Sequence, residues 1–305
     1  MGKLNANANA NANANANANS GVSLGGLFGD TRFNSYKISK QAFNAARNGG
    51  MVVPPRPAEG YVAYDKAGGG WDLEQKAWEY LHEFTNVHQN WLNELEVIAR
   101  GVWNGWTSQS DLNAACFDIV NQAGERDDRF AEIIDQHDGE GCLDYWTGML
   151  NIDAGRQPNT YLLIRIARKI GEMAVMCLKL RINAARPSHL CPAIVPMVDP
   201  PKTASFPAGH ALQSYLISYL LVRALPNIPQ SPLPGAWKPL TTHEGLFALS
   251  RRVSDNRKIA GVHFDVDSEA GFMVAQEIDR MLGQPTCTKF DALLAKVRQE
   301  CPQYA

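Results

Sequence analysis

Along this chain, apolar positions return with the period of a helix. From Trp71 to Arg100, Leu81, Phe84, Val87, Trp91, Leu95 and Ile98 recur every three or four residues, which predicts one helix burying a single face. Asp111–Ala123 and Asp127–Gln136 read as further helices. A long helix is expected from Asn159 to Arg186, stopped by Pro187, and a Pro-rich crossing with Pro192, Pro196, Pro200 and Pro201 follows. Pro207 opens the next helix, which continues to Leu225. After a second Pro-rich loop (Pro226 to Pro239), helices resume over Thr242–Ser254 and from about Asp267 to Leu282. No alternating apolar and polar run of any length predicts a strand. The expectation is an all-α fold, a single domain of packed helical bundles with an irregular N-terminal arm.

That domain is placed at residues 71–305. Residues 1–20 hold an Asn-Ala repeat with no apolar face to bury, expected to be a disordered leader that is natural, engineered, or a stand-in for residues not identified. Residues 21–70, rich in Gly, Pro and small polar residues, read as the irregular arm. Met1-Gly2-Lys3 leads into the repeat, so no signal peptide is visible. The apolar stretch Leu212–Leu225 is broken by Gln213, Ser214, Ser218 and Arg223, and no run reaches the roughly 18 apolar residues that span a bilayer. The chain is therefore expected to be soluble and not integral to a membrane. Its compartment is open: cytoplasmic by default, exported if the N-terminus is not native. A formal net charge of -2 excludes the basic excess of a nucleic-acid binder. The six cysteines form no C-x-x-C pair, which removes the usual zinc and redox readings; disulfides and a homo-oligomer stay open.

Three short segments carry the candidate chemistry. In Lys179-Leu-Arg-Ile-Asn-Ala-Ala-Arg186-Pro187 the two cations are seven apart, two helical turns, so both are expected on one face. In Ser205-Phe206-Pro207-Ala208-Gly209-His210, Pro207 is read as the first helical residue, with Ser205 or Phe206 at the cap. The amides of Ala208, Gly209 and His210 then point out of a helix N-terminus, where an anion is stabilised. In Arg257-Lys-Ile-Ala-Gly-Val-His263-Phe-Asp-Val-Asp267, a carboxylate four residues after a histidine can fix its tautomer. Each segment alone has an ordinary explanation: a solvated face, a capped helix, a structural His-Asp pair.

Taken in order, Lys-x6-Arg-Pro, Pro-x-Gly-His and Arg-x5-His-x3-Asp resemble the signature of the type 2 phosphatidic acid phosphatase and vanadium haloperoxidase superfamily, over roughly residues 160 to 285. The resemblance implies that Lys179, Arg186 and Arg257 bind phosphoryl oxygens with help from the Gly209 amide. It implies that His263 is the nucleophile, forming a phosphohistidine, and that Asp267 orients it. His210 protonates the leaving group and later activates water. The substrate implied is a small-molecule phosphate ester, with no metal or other cofactor. The alternative within the resemblance is a haloperoxidase, in which His263 ligates vanadate as cofactor. There a His or Phe typically lies seven residues before the histidine of the second motif; here that residue is Thr203. A degenerate anion-binding relative is the third reading.

Two departures stand out. The family usually has Ser where this chain has Ala208, so one hydroxyl donor is missing, worth on the order of 1–3 kcal/mol unless a water, Ser205 or Lys202 replaces it. Asn256 precedes Arg257 where Ser is usual, and an amide still hydrogen-bonds. His189, just after Pro187, is an extra pocket-lining candidate, with Lys202 and Asn256. His82, His88 and His243 read as surface or interface residues. The acidic stretch Asp135–Glu140 lacks EF-hand spacing and reads as a solvated turn.

Overall fold

The computed structural model describes residues 71–104, 108–137, 141–228 and 243–304. The readings of 1–20, 21–70 and most of the second Pro-rich loop lie outside the described residues. The described chain is all helical, with no strand: α1 (Leu73–Val87), α2 (Trp91–Asn104), α3 (Gln109–Gln122), a 3-10 turn (Ala123–Glu125), α4 (Arg126–Asp135), α5 (Gly141–Met149), α6 (Pro158–Ile182), α7 (Pro187–Leu190), α8 (Gly209–Ala224), α9 (His243–Ile259), α10 (Asp265–Leu282) and α11 (Thr288–Glu300). No helix among the described residues is long and apolar enough to cross a membrane.

The apolar run that opens after Gly209 becomes the central helix, because only a helix apolar on all sides can be surrounded. α8 packs against α6, α9 and α10, burying Leu212, Leu216, Ile217, Leu220 and Leu221. Its serines do not break this core, since each finds a partner. Ser218 donates to the carbonyl of Leu246 at 3.0 Å and accepts from the Trp146 indole at 3.0 Å, while the Ser214 hydroxyl donates to the carbonyl of Ala211 at 3.1 Å. The outer helices close the ring: α1 lies on α6, and α2 on α10.

Several boundaries differ from expectation. The single helix expected over Trp71–Arg100 is two. The chain turns at His88–Asn90, where Asn90 accepts from Asn93 Nδ2 at 2.6 Å and starts α2. His88 donates to the Met281 carbonyl at 3.0 Å, tying this turn to the end of α10. The long helix does not reach Arg186. It stops at Asn183, which adopts a left-handed φ of 52° and returns its N–H to the Lys179 carbonyl. Pro207 follows a cis peptide bond from Phe206 and lies before α8, whose cap is Ala208 with no side-chain cap bond. α9 runs five residues past Ser254, which puts Arg257 in its last turn. Helices α5, α7 and α11 were not anticipated.

Two glycines set the approach of the segments that matter. At Gly261 the chain leaves α9 with φ +79°, a conformation that side chains resist, and this turn delivers His263. At Gly271, α10 crosses the start of α8 so closely that a Cβ would meet the Ala208 carbonyl, Ala211 Cβ and Leu212 N, each at 2.9 Å. Two of those atoms are backbone and have no rotamer to escape into. Gly271→Ala should therefore cost about 1–3 kcal/mol through overpacking. Chemical denaturation would show it, with the midpoint lowered and the slope unchanged; an unaltered midpoint would mean the helices are farther apart than described.

Candidate functional site

The three motifs are brought together around two histidines. Lys179 comes from the last turn of α6, Arg186 from the bend before α7, His210 from the first turn of α8, and Arg257 from the last turn of α9. His263 lies in the α9–α10 turn and Asp267 in the first turn of α10. Their side chains are removed from water: Lys179 is 6% exposed, Arg186 2%, Arg257 1%, His263 3% and Asp267 0%. Lys179 and Arg186 do converge, but not as two residues on one helical face, because Asn183 has already ended the helix. The bend over 183–186 redirects Arg186 instead.

His263 is held from both sides. Its Nδ1 lies 3.0 Å from Asp267 Oδ2, and a carboxylate oxygen can only accept, so the ring proton sits on Nδ1. Arg186 Nη1 donates to the opposite nitrogen, Nε2, at 3.3 Å. Asp267 Oδ2 also accepts from the N–H of Phe264 at 3.0 Å, the reciprocal bond of a helix start, and from the Ser205 hydroxyl at 2.5 Å. The Ala208 N–H donates to the Asp267 carbonyl at 2.9 Å, tying the second motif to the third through backbone.

The cations rest on main-chain carbonyls. Lys179 Nζ donates to the carbonyls of Ala204 and Ser205, the latter at 2.8 Å. Arg186 donates to those of Pro201, Thr203, Ala204 and Val262, and to the Thr203 hydroxyl. Arg257 Nη2 donates to the Ile133 carbonyl at 2.9 Å, while its Nε and Nη1 are buried with no partner among the described residues. His210 Nε2 donates to the Gln136 carbonyl at 2.8 Å. The end of α4 is thus a wall of the site: within the stretch read as a solvated turn, Asp135 and His137 are exposed but Gln136 is fully buried, and 138–140 lie outside the described residues. Sequence pattern carried no signal for Gln136 or Ile133, since a carbonyl contact is independent of side-chain type.

Electrostatics follow from burial. Desolvation pushes His263 down to about 4, aided by Lys179 and Arg186 and opposed by Asp267. Desolvation, then the charge of Arg257, pushes His210 down to about 3. Both rings are neutral near pH 7. Burial, with Arg186 nearby, lowers Lys179 to about 7, and burial lowers Arg257 to about 10. Arg186 is also lowered by burial. Chemically, this is a neutral imidazole with a fixed proton, set among buried donors near the start of α8, which has no side-chain cap.

The side chains of the remaining candidates, His189, Lys202 and Asn256, make none of these bonds to the two histidines, the three cations or Asp267. His189 and Lys202 are exposed. Asn256 is buried but turns to α4, donating to Glu132 at 3.0 Å and Gln136 at 2.9 Å and accepting from Arg129. Ser205 does not stand in for the hydroxyl missing at Ala208, because its own is committed to Asp267. Gly209 has protein no nearer to a Cβ position than Val175 at 3.7 Å, so packing does not demand glycine there.

No family model matches the chain, and neither does any curated protein. One solved structure, described as the first transmembrane PAP2 type phosphatidylglycerolphosphate phosphatase from Bacillus subtilis, is similar at 21% identity and a TM-score of 0.29. That match covers 72% of this chain and 96% of the other.

Lys179 yields a pH test. Its folded pKa near 7, against 10.5 for an ordinary lysine, means the ammonium is present below pH 7 and lost above it. Sulfate stays a dianion across this range, so its affinity should fall above about pH 7, by up to about tenfold per unit. Calorimetry in buffers of different ionisation enthalpy should show proton uptake there. Lys179→Met should bind weakly and with no such slope; a wild-type affinity flat from pH 6 to 9 would contradict the assignment.

Proposed function

We propose that the chain is a phosphohydrolase that cleaves phosphoric esters through a phosphohistidine at His263. The observation that carries this reading is the pinned imidazole: Nδ1–H on Asp267, Nε2 turned to Arg186, and the ring neutral. A nucleophilic histidine needs its proton fixed on one nitrogen and its lone pair directed from the other. Arg186 occupies that lone pair at rest, and a phosphoryl oxygen offers the guanidinium a stronger, charged acceptor. The Nε and Nη1 of Arg257, which have no partner among the described residues, supply donors for a second oxygen, Lys179 a charge, and Gly209 an amide at the start of α8.

In the reaction, Nε2 of His263 bonds to phosphorus as the ester P–O bond breaks. The departing oxygen takes a proton from His210. His210 is neutral in the free protein, so that proton enters with the substrate: a phosphate monoester has a second ionisation near 6, and its monoanion carries one. Anionic oxygens beside the ring then favour the charged imidazolium. Water next attacks phosphorus, the P–N bond breaks, and His210 accepts the proton of the water. Asp267 stays a carboxylate throughout and stabilises the positive His263 ring.

The test is a pair of assays on the purified chain, p-nitrophenyl phosphate hydrolysis and vanadate-dependent bromination with peroxide. Hydrolysis is expected, inhibited competitively by vanadate, and reduced to background in His263→Ala. Hydrolysis that survived His263→Ala would sink the phosphohistidine. Bromination without hydrolysis would move the assignment to a haloperoxidase, with vanadate on Nε2. Ala208→Ser adds one donor at the mouth of α8 and should raise turnover by roughly tenfold.

A further inference from the structure

We infer that Ser205 is a positioning residue, whose hydroxyl fixes the Asp267 carboxylate and so holds the Nδ1 proton of His263 in place. The inference rests on the reading of His263 as nucleophile, and it explains a buried polar residue for which the three motifs leave no role. Ser205 has no exposed surface. Its Oγ lies 2.5 Å from Asp267 Oδ2 and 3.4 Å from His263 Nδ1. A ring nitrogen that carries a proton for Asp267 has no lone pair to offer, so the hydroxyl proton goes to the carboxylate.

Asp267 spends its bonds unevenly. Oδ2 accepts from Ser205, from the Nδ1–H of His263 and from the Phe264 amide, whereas Oδ1 is buried with no partner among the described residues. Three donors on one oxygen fix the plane of the carboxylate, since a rotation that moved Oδ2 away would break all three bonds. Oδ2 then stays aimed at Nδ1 as an acceptor, which keeps Nε2 as the nitrogen with the lone pair. Of the three donors, only the hydroxyl can be deleted without touching the nucleophile or the backbone.

Ser205 is also placed by the motifs it connects. Its N–H donates to the Ala184 carbonyl at 2.9 Å, and its carbonyl accepts from Lys179 at 2.8 Å. Its backbone therefore binds the first motif while its side chain serves the third. An alanine keeps both backbone bonds, so it separates the hydroxyl's effect from any role of the segment in folding.

The test compares wild type, Ser205→Ala and Ser205→Thr in the full chain. In Ser205→Ala, kcat for p-nitrophenyl phosphate should fall about tenfold to a hundredfold, the usual loss when a group that orients a histidine is removed. KM and the affinity for inorganic phosphate should stay within about twofold, because Lys179, Arg186 and Arg257 are untouched. With 15N-labelled histidine, the downfield Nδ1–H proton signal of His263 should shift and exchange faster with water. Ser205→Thr, which keeps the hydroxyl, should restore both kcat and the signal.

A folded Ser205→Ala with unchanged kcat and an unchanged Nδ1–H signal overturns the inference while leaving His263 as nucleophile intact. If wild type hydrolyses nothing, the function reading fails, yet the Nδ1–H signal still decides what Ser205 does. If Ser205→Ala does not fold, the wild-type spectrum decides alone. A slowly exchanging Ser205 hydroxyl proton with a through-space contact to the His263 Nδ1–H supports the inference, and its absence overturns it.

Discussion

The structure depends on keeping three buried cations in solution with the protein rather than with water. Lys179, Arg186 and Arg257 are all buried, and Asp267 is the one buried carboxylate among the described residues. An isolated charge in such a place costs several kcal/mol of lost hydration. One carboxylate cannot answer three cations, and the difference is met by oriented carbonyl dipoles at Ile133, Pro201, Thr203, Ala204, Ser205 and Val262. Dipoles are weaker partners than ions, so the cluster keeps a positive excess. Burial lowers the pKa values of Lys179 and the two histidines first, and the neighbouring cations lower them further.

This requirement shapes the backbone. A carbonyl inside a helix is already spent on the amide four residues on, so it cannot also hold a guanidinium well. The acceptors used here come from irregular chain or from helix ends, where carbonyls are left over. The Pro-rich crossing between α7 and α8 supplies most of them, and its prolines keep it from becoming helical. The end of α4 supplies the Ile133 and Gln136 carbonyls. What looks in sequence like a connector is the inner lining of the charged centre.

Placement of the two imidazoles completes the arrangement. Each has one nitrogen engaged by a fixed acceptor, Asp267 for His263 and the Gln136 carbonyl for His210. Burial among cations keeps both neutral, the state in which a histidine offers a lone pair. In the proposed reaction, an arriving phosphoryl oxyanion would supply the negative charge that the cluster lacks and would favour the protonated form of His210.

The sequence by itself determined the helical class, the central position of the apolar stretch after Gly209, and which charged residues meet. The helix period shows the buried faces, and the order of Lys179, Arg186, His210, Arg257, His263 and Asp267 carries a resemblance that fits their convergence. How they meet was decided by tertiary structure. Two residues seven apart suggested a shared face, yet Asn183 ends α6 early and a bend carries Arg186 inward. Ser205 was legible as a polar residue near a helix start, but its bond to Asp267 spans 62 positions. Gln136 reaches His210 across 74 and Ile133 reaches Arg257 across 124. Local patterns report contacts three or four residues apart. Bonds between distant segments arise only once packing has brought the chain together, and a carbonyl that accepts a proton leaves no mark in the residue type that bears it.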